Sequence, residues 1–138
     1  PVQWNDQENA GFTTGTPWLK VNSNYKEINA ASQENDPDSV LNYYRRLTAV
    51  RKAPVYKEVF TYGETVPAYQ DTDTVMAYYR ETEAQRILVA ANFGKEPVSL
   101  RLDTSVKCVI LSNQKQSECP GEVLTLNSCE VIVLELEK

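Results

Sequence analysis

The chain has 138 residues, enough for one domain with a real core or a domain plus a piece of another. Its formal net charge of −5, with acids and bases interspersed, argues against a nucleic-acid or anionic-membrane partner. No apolar run approaches the ~20 residues of a membrane helix, and no signal peptide is visible.

Histidine is absent, which removes Ser-His-Asp and Cys-His catalysis outright. Cys108, Cys119 and Cys129 are too widely spaced for a Cys-x-x-Cys pair, so no metal site, no cofactor and no disulfide is expected. An odd number of thiols fits a reducing cytoplasm, with Cys108 read as a buried small apolar residue. Met76 is the only methionine and the chain opens on Pro1, which suggests that the true N-terminus lies upstream.

Residues 1–35 are rich in Gln, Asn, Thr and Gly yet carry Trp4, Phe12, Trp18 and Tyr25. Disordered linkers are poor in aromatics, so the segment is read as irregular chain packed against something. Asp36-Pro37-Asp38-Ser39 reads as a helix start: an N-cap carboxylate, then proline at the first helical position. The helix is predicted over 37–52, because Pro54 forbids continuation. Its apolar residues Val40, Leu41, Tyr43, Tyr44, Leu47 and Val50 cover about half the cylinder. That breadth predicts two neighbouring elements, and Arg51 inside the arc should find a partner.

From Val55 onward strand signals recur between turn residues, at 55–62, 74–80, 86–93, 98–102, 106–111, 122–126 and 129–136. The run 87–93 is apolar without alternation, which marks a central strand covered on both faces. Residues 113–120 read as a plain surface loop. The fold class is mainly β: an antiparallel β-sandwich of about six to seven strands, preceded by an irregular segment and one α-helix. Residues 1–54 and 55–138 are the expected divisions.

Several stretches together resemble one known family. They are Pro1-Val2-Gln3-Trp4-Asn5, Asn9-Ala10-Gly11-Phe12-Thr13, Trp18-Leu19-Lys20-Val21-Asn22 and Tyr43-Tyr44-Arg45-Arg46-Leu47, then Leu88-Val89-Ala90-Ala91-Asn92-Phe93, Leu111-Ser112-Asn113 and Glu130. The first half resembles the end of the catalytic domain of bacterial α-glucosidases. These form the oligo-1,6-glucosidase and dextran glucosidase branch of the α-amylase family of glycoside hydrolases. The second half resembles that family's C-terminal β-domain. Val2, Asn5 and Ser128-Cys129-Glu130-Val131 depart from the usual pattern.

The resemblance implies that the helix is left over from a (β/α)8 barrel, most of which lies outside this chain, together with the family's catalytic Asp and Glu residues. The missing barrel would be the partner and an α-glucan oligosaccharide the substrate of the intact enzyme. Gln3, Trp4, Asn9 and Phe12 would sit at the active-site rim, since they follow the last barrel strand. No catalytic residue is expected here: Asp36/Asp38 is a helix cap, and Asp71/Asp73 and Glu81/Glu83 are acids at turns or strand ends. The other readings are an autonomous carbohydrate-binding module and a structural, self-associating domain.

Overall fold

The protein is described by a computed structural model covering residues 1–114 and 119–138; the part of the expected 113–120 loop at 115–118 lies outside the described residues. The chain divides into two compact units, Pro1–Thr48 and Ala49–Lys138, with the division inside a helix.

The first unit is built on turns and two helices, α1 (Ala30–Glu34) and α2 (Val40–Lys52). A capping box opens α1: Asn29 Oδ1 accepts from Ser32 N at 2.9 Å, while Asn29 N donates to Ser32 Oγ.

The start of α2 differs from the sequence expectation. Asp36 Oδ1 accepts from Asp38 N at 2.9 Å and Asp36 O from Ser39 N at 3.1 Å, so 36–39 closes as a turn ahead of the helix. Ser39 is the cap, its buried hydroxyl accepting from Asn42 N at 3.2 Å. Gln33 Oε1 takes Leu41 N at 2.9 Å, satisfying a second orphan donor of the first turn. Asn42 Nδ2 donates to the carbonyls of Gln33, Glu34 and Asp36, tying α2 back to the end of α1. No residue of α2 is buried, and Arg51 is exposed, so water meets the charge that was expected to need a partner.

The second unit holds α3 (Pro54–Tyr62) and seven strands: β1 (Glu64–Ala68), β2 (Val75–Glu81), β3 (Arg86–Asn92), β4 (Val98–Arg101), β5 (Val106–Ser112), β6 (Val123–Leu126) and β7 (Val131–Leu136). Residues 55–62, expected as a strand, are helical. Pro54 ends one helix and occupies the first turn of the next, where its missing N–H costs nothing. The run that follows has no period-2 alternation, and the i,i+4 pair Tyr56/Phe60 packs edge to face with centroids 6.1 Å apart. β1 was not expected, because Pro67 and its polar neighbours hide it; it sits at a sheet edge, where proline is tolerated.

The strands form two antiparallel sheets, ordered β1-β2-β3-β7-β5 and β4-β6. Central β3 pairs with β2 on one side and β7 on the other, with Leu88 opposite Tyr79 and Leu134. Alternate residues of the large sheet, Ala77, Tyr79, Leu88, Ala90, Ile132, Leu134 and Leu136, meet Leu100, Leu124 and Leu126 of the small sheet in one core. The opposite face carries Arg80, Cys108 and Glu135, which bond to α3 residues.

At one end of the core, buried Asn92 donates through Nδ2 to the carbonyls of Glu96, Asn127 and Leu126 and accepts from Gly94 N at 2.8 Å. Asn127 donates twice to Oε2 of Glu130, both at 2.8 Å. This network joins the β3–β4 and β6–β7 turns without a polar group left unmatched.

Candidate functional site

The four rim candidates lie in one backbone knot of the first unit. Trp4 N and Asn5 N both donate to Ala10 O, at 2.9 and 3.2 Å, so chain 3–5 lies against the turn Glu8–Gly11. On its other side Gln3 O accepts from Ala30 N and Trp4 O from Ala31 N, each at 2.9 Å. The turn runs through three consecutive left-handed residues, Asn9, Ala10 and Gly11, at φ 54°, 59° and 66°. Such a conformation is costly for alanine. Burial of Ala10 and its two accepted hydrogen bonds hold it there. Gly11 is obligatory, since a Cβ would lie 2.6 Å from the Asn5 amide.

The polar pair is committed to this scaffold. Gln3 Nε2 donates to Asn24 Oδ1 at 3.1 Å and to Ile28 O. Asn9 Nδ2 donates to Gly15 O at 3.1 Å and to Thr13 O at 3.3 Å, folding the next loop back onto the turn. The aromatic pair is not committed: Trp4 is 54% exposed and Phe12 41%. Two rings held on a rigid knot can stack on a flat apolar face such as a pyranose ring, but they transfer no proton. Asn5, which the residue pattern did not single out, sets the turn by accepting Gln7 N at 3.0 Å.

The acids do not converge into a catalytic pair. Asp36, Asp38, Asp71, Asp73 and Glu83 are exposed. Glu81 is half-buried and bonded to Arg86 at 2.7 Å. Arg86 also meets Asp103 at 2.9 Å and lies 3.9 Å over the Tyr79 ring. Burial alone would lower the Arg86 pKa, but Asp103, Tyr79 and Glu81 outweigh it and hold the guanidinium charged. Among the described residues no group of three or more His, Cys, Asp or Glu side chains gathers as a metal would require. No helix among them is long and apolar enough to cross a membrane.

One polar centre escaped the residue pattern. Glu135, 5% exposed on β7, accepts from Lys107 Nζ at 2.8 Å, Tyr56 OH at 3.3 Å and Gln85 Nε2 at 3.4 Å, with Cys108 Sγ at 3.7 Å. Burial pushes its pKa up, yet these donors, Lys107 first, bring it below the ordinary glutamate value. Burial and the neighbouring Cys108 and Glu135 push the Tyr56 hydroxyl far up, so it stays a neutral donor. A carboxylate under a helix, matched on all sides, fastens α3 to the sheet. The only forewarning was a lone acid inside the apolar run Val131–Leu136.

Comparison with known proteins gives these arrangements a family. Residues 1–63 match the description "Alpha amylase, catalytic domain" and residues 75–133 match "Alpha-amylase SusG C-terminal domain". The chain belongs to the α-amylase family. It is 35% identical to an oligo-1,6-glucosidase of Bacillus cereus, over 99% of this chain and 25% of that protein. It is also 39% identical to the trehalose-6-phosphate hydrolase of Bacillus subtilis, over all of this chain and 25% of that one. The isomaltulose synthase of Klebsiella sp. LX3 superposes with a TM-score of 0.90 at 37% identity, over 99% of this chain and 25% of that structure. The chain thus spans about a quarter of the length of the relatives it matches.

Proposed function

We propose that this chain is the C-terminal quarter of a bacterial α-glucosidase that hydrolyses terminal α-glucosidic bonds of short α-glucans in the cytoplasm. Residues 1–54 would complete the catalytic barrel, and 55–138 would form the β-domain that supports it. The observation that carries this reading is the order of the two family matches, catalytic domain over 1–63 and C-terminal domain over 75–133, along a chain aligned end to end with oligo-1,6-glucosidases.

Retaining glycoside hydrolysis needs two carboxyl groups about 5–5.5 Å apart across the scissile bond. No such pair is assembled here among the described residues, so in this reading the reacting acids come from the barrel. Trp4 and Phe12 then contribute ring faces at its rim, with Gln3 and Asn9 holding the loops that carry them. The rest of the barrel is the partner, through intramolecular packing.

The test is hydrolysis of p-nitrophenyl α-glucoside and isomaltose. The chain alone should give no turnover. Joined to the preceding three quarters of the B. cereus oligo-1,6-glucosidase, it should restore hydrolysis. Turnover by the purified chain alone would overturn the reading. The equal likeness to isomaltulose synthases favours a second one, a parent that rearranges a disaccharide; product analysis with sucrose separates the two.

A further inference from the structure

The small sheet carries a second feature, away from the rim residues in sequence and on the β-domain alone. An open recess of about 500 Å³ lies between the end of β4, the turn leading into β5 and the lead-in to β6. That is within the ~300–1,000 Å³ usual for small-ligand sites. Arg101, Asp103, Thr104, Ser105 and Glu122 supply its polar lining, and Leu102 and Pro120 are among its apolar residues.

Its walls are fixed before any ligand arrives. Leu102 N donates to Glu122 O at 2.8 Å, joining the two sides of the recess. The C-terminal segment clamps the turn: Glu137 N donates to Ser105 O at 2.9 Å, and Thr104 Oγ1 donates to Glu137 O at 3.1 Å. Asp103 is held through Oδ2 by Arg86, which leaves Oδ1 available. Arg101 and Glu122 are exposed, and no hydrogen bond or ion pair among the described residues engages either charged head. A preformed site with idle charged groups loses little on ordering.

The mixture of groups selects the ligand class. One guanidinium between two carboxylates disfavours an anion, and two carboxylates fall short of a metal shell. A charged lining disfavours an apolar molecule. A neutral polyol suits it: each hydroxyl can donate to Asp103 or Glu122 and accept from Arg101, and vicinal hydroxyls match the spacing of a carboxylate or guanidinium edge. We infer that this recess is an auxiliary binding site for a neutral oligosaccharide, contacted by Arg101, Asp103 and Glu122. No aromatic residue lines it, so affinity should be weak, on the order of millimolar. The choice of an α-glucan as ligand rests on the α-glucosidase reading; the site's existence does not.

Isomaltotriose titrated into the isotope-labelled full chain is the experiment. Amide shifts of 101–106 and 120–122 should move saturably, and Glu122→Gln or Arg101→Gln should each weaken binding by roughly tenfold. Both residues are exposed, so the variants keep the fold, which the unchanged spectrum elsewhere verifies. No shift in those segments, shifts confined to the Trp4 and Phe12 region, or binding untouched by both variants would overturn the inference. Hydrolysis is not the readout, so failure here leaves the α-glucosidase proposal standing, and the reverse also holds.

Discussion

Lys107 Nζ sits 2.8 Å from Glu135 Oε1, an exposed ammonium capping a carboxylate that is itself 5% exposed. The asymmetry sets the energetics. Lys107→Met leaves the acid with neutral donors only and should cost about 1–2 kcal/mol, discounted because the lysine head is largely solvated. Adding Glu135→Gln removes the uncompensated charge and should recover most of that loss. Urea unfolding of the two single variants and the double variant measures the coupling; simple additivity would contradict the arrangement.

The same pair gives a pH dependence. The Glu135 pKa is lowered in the folded chain, so its contribution is complete above the unfolded value of roughly 4.3 and is lost as pH falls through the lower folded value. Thermal unfolding of the wild type and Glu135→Gln should therefore converge on acidification below about pH 4.3. A gap that stays constant down to about pH 3 would show that the acid is not held ionised by its donors.

The helical assignment of Pro54–Tyr62 is testable at two valines one turn apart. Val59 is fully buried and its carbonyl accepts from Arg80 Nε at 3.3 Å, whereas Val55 is 61% exposed. Val59→Ala should destabilise by about 2 kcal/mol, and Val55→Ala by less than about 0.5. In a strand both side chains would lie on one face, so equal losses would argue for that alternative.

Gly63 has ordinary backbone angles, φ −57° and ψ 148°, so conformation alone would admit alanine. Space forbids it: a Cβ would stand 2.4 Å from Val59 O and 2.9 Å from Glu81 O. Gly63→Ala is expected to cost about 2 kcal/mol or more, because both obstacles are backbone. Gly121→Ala, with nothing within 4 Å, should change stability by less than about 0.5 kcal/mol. Denaturant midpoints for the two variants decide it.

The β-domain was legible where burial dictated residue type. The run 87–93 announced a strand covered on both faces, and the alternation in 98–102 gave the inward set. It failed where local preference and context diverged. Val55, Val59, Phe60 and Thr61 favour a strand individually, yet Pro54 and the i,i+4 spacing of Tyr56 and Phe60 decide for helix. Asp36 was an attractive cap, but Ser39 sits one residue before the first helical turn and takes the role. The rim candidates could be named only through family likeness. What holds them, a left-handed Asn9-Ala10-Gly11 turn, depends on backbone hydrogen bonds that residue types do not announce.

The two strands that terminate the larger sheet are both ill-suited to extension. β1 carries Pro67, which offers no N–H, and β5 is broken by register shifts at Val106/Cys108 and Val109/Leu111. A neighbouring molecule would find no straight ladder to continue on either flank. Concentrated solutions of this chain should accordingly resist growing into fibrils through their sheet borders, whatever else its apolar surfaces adhere to.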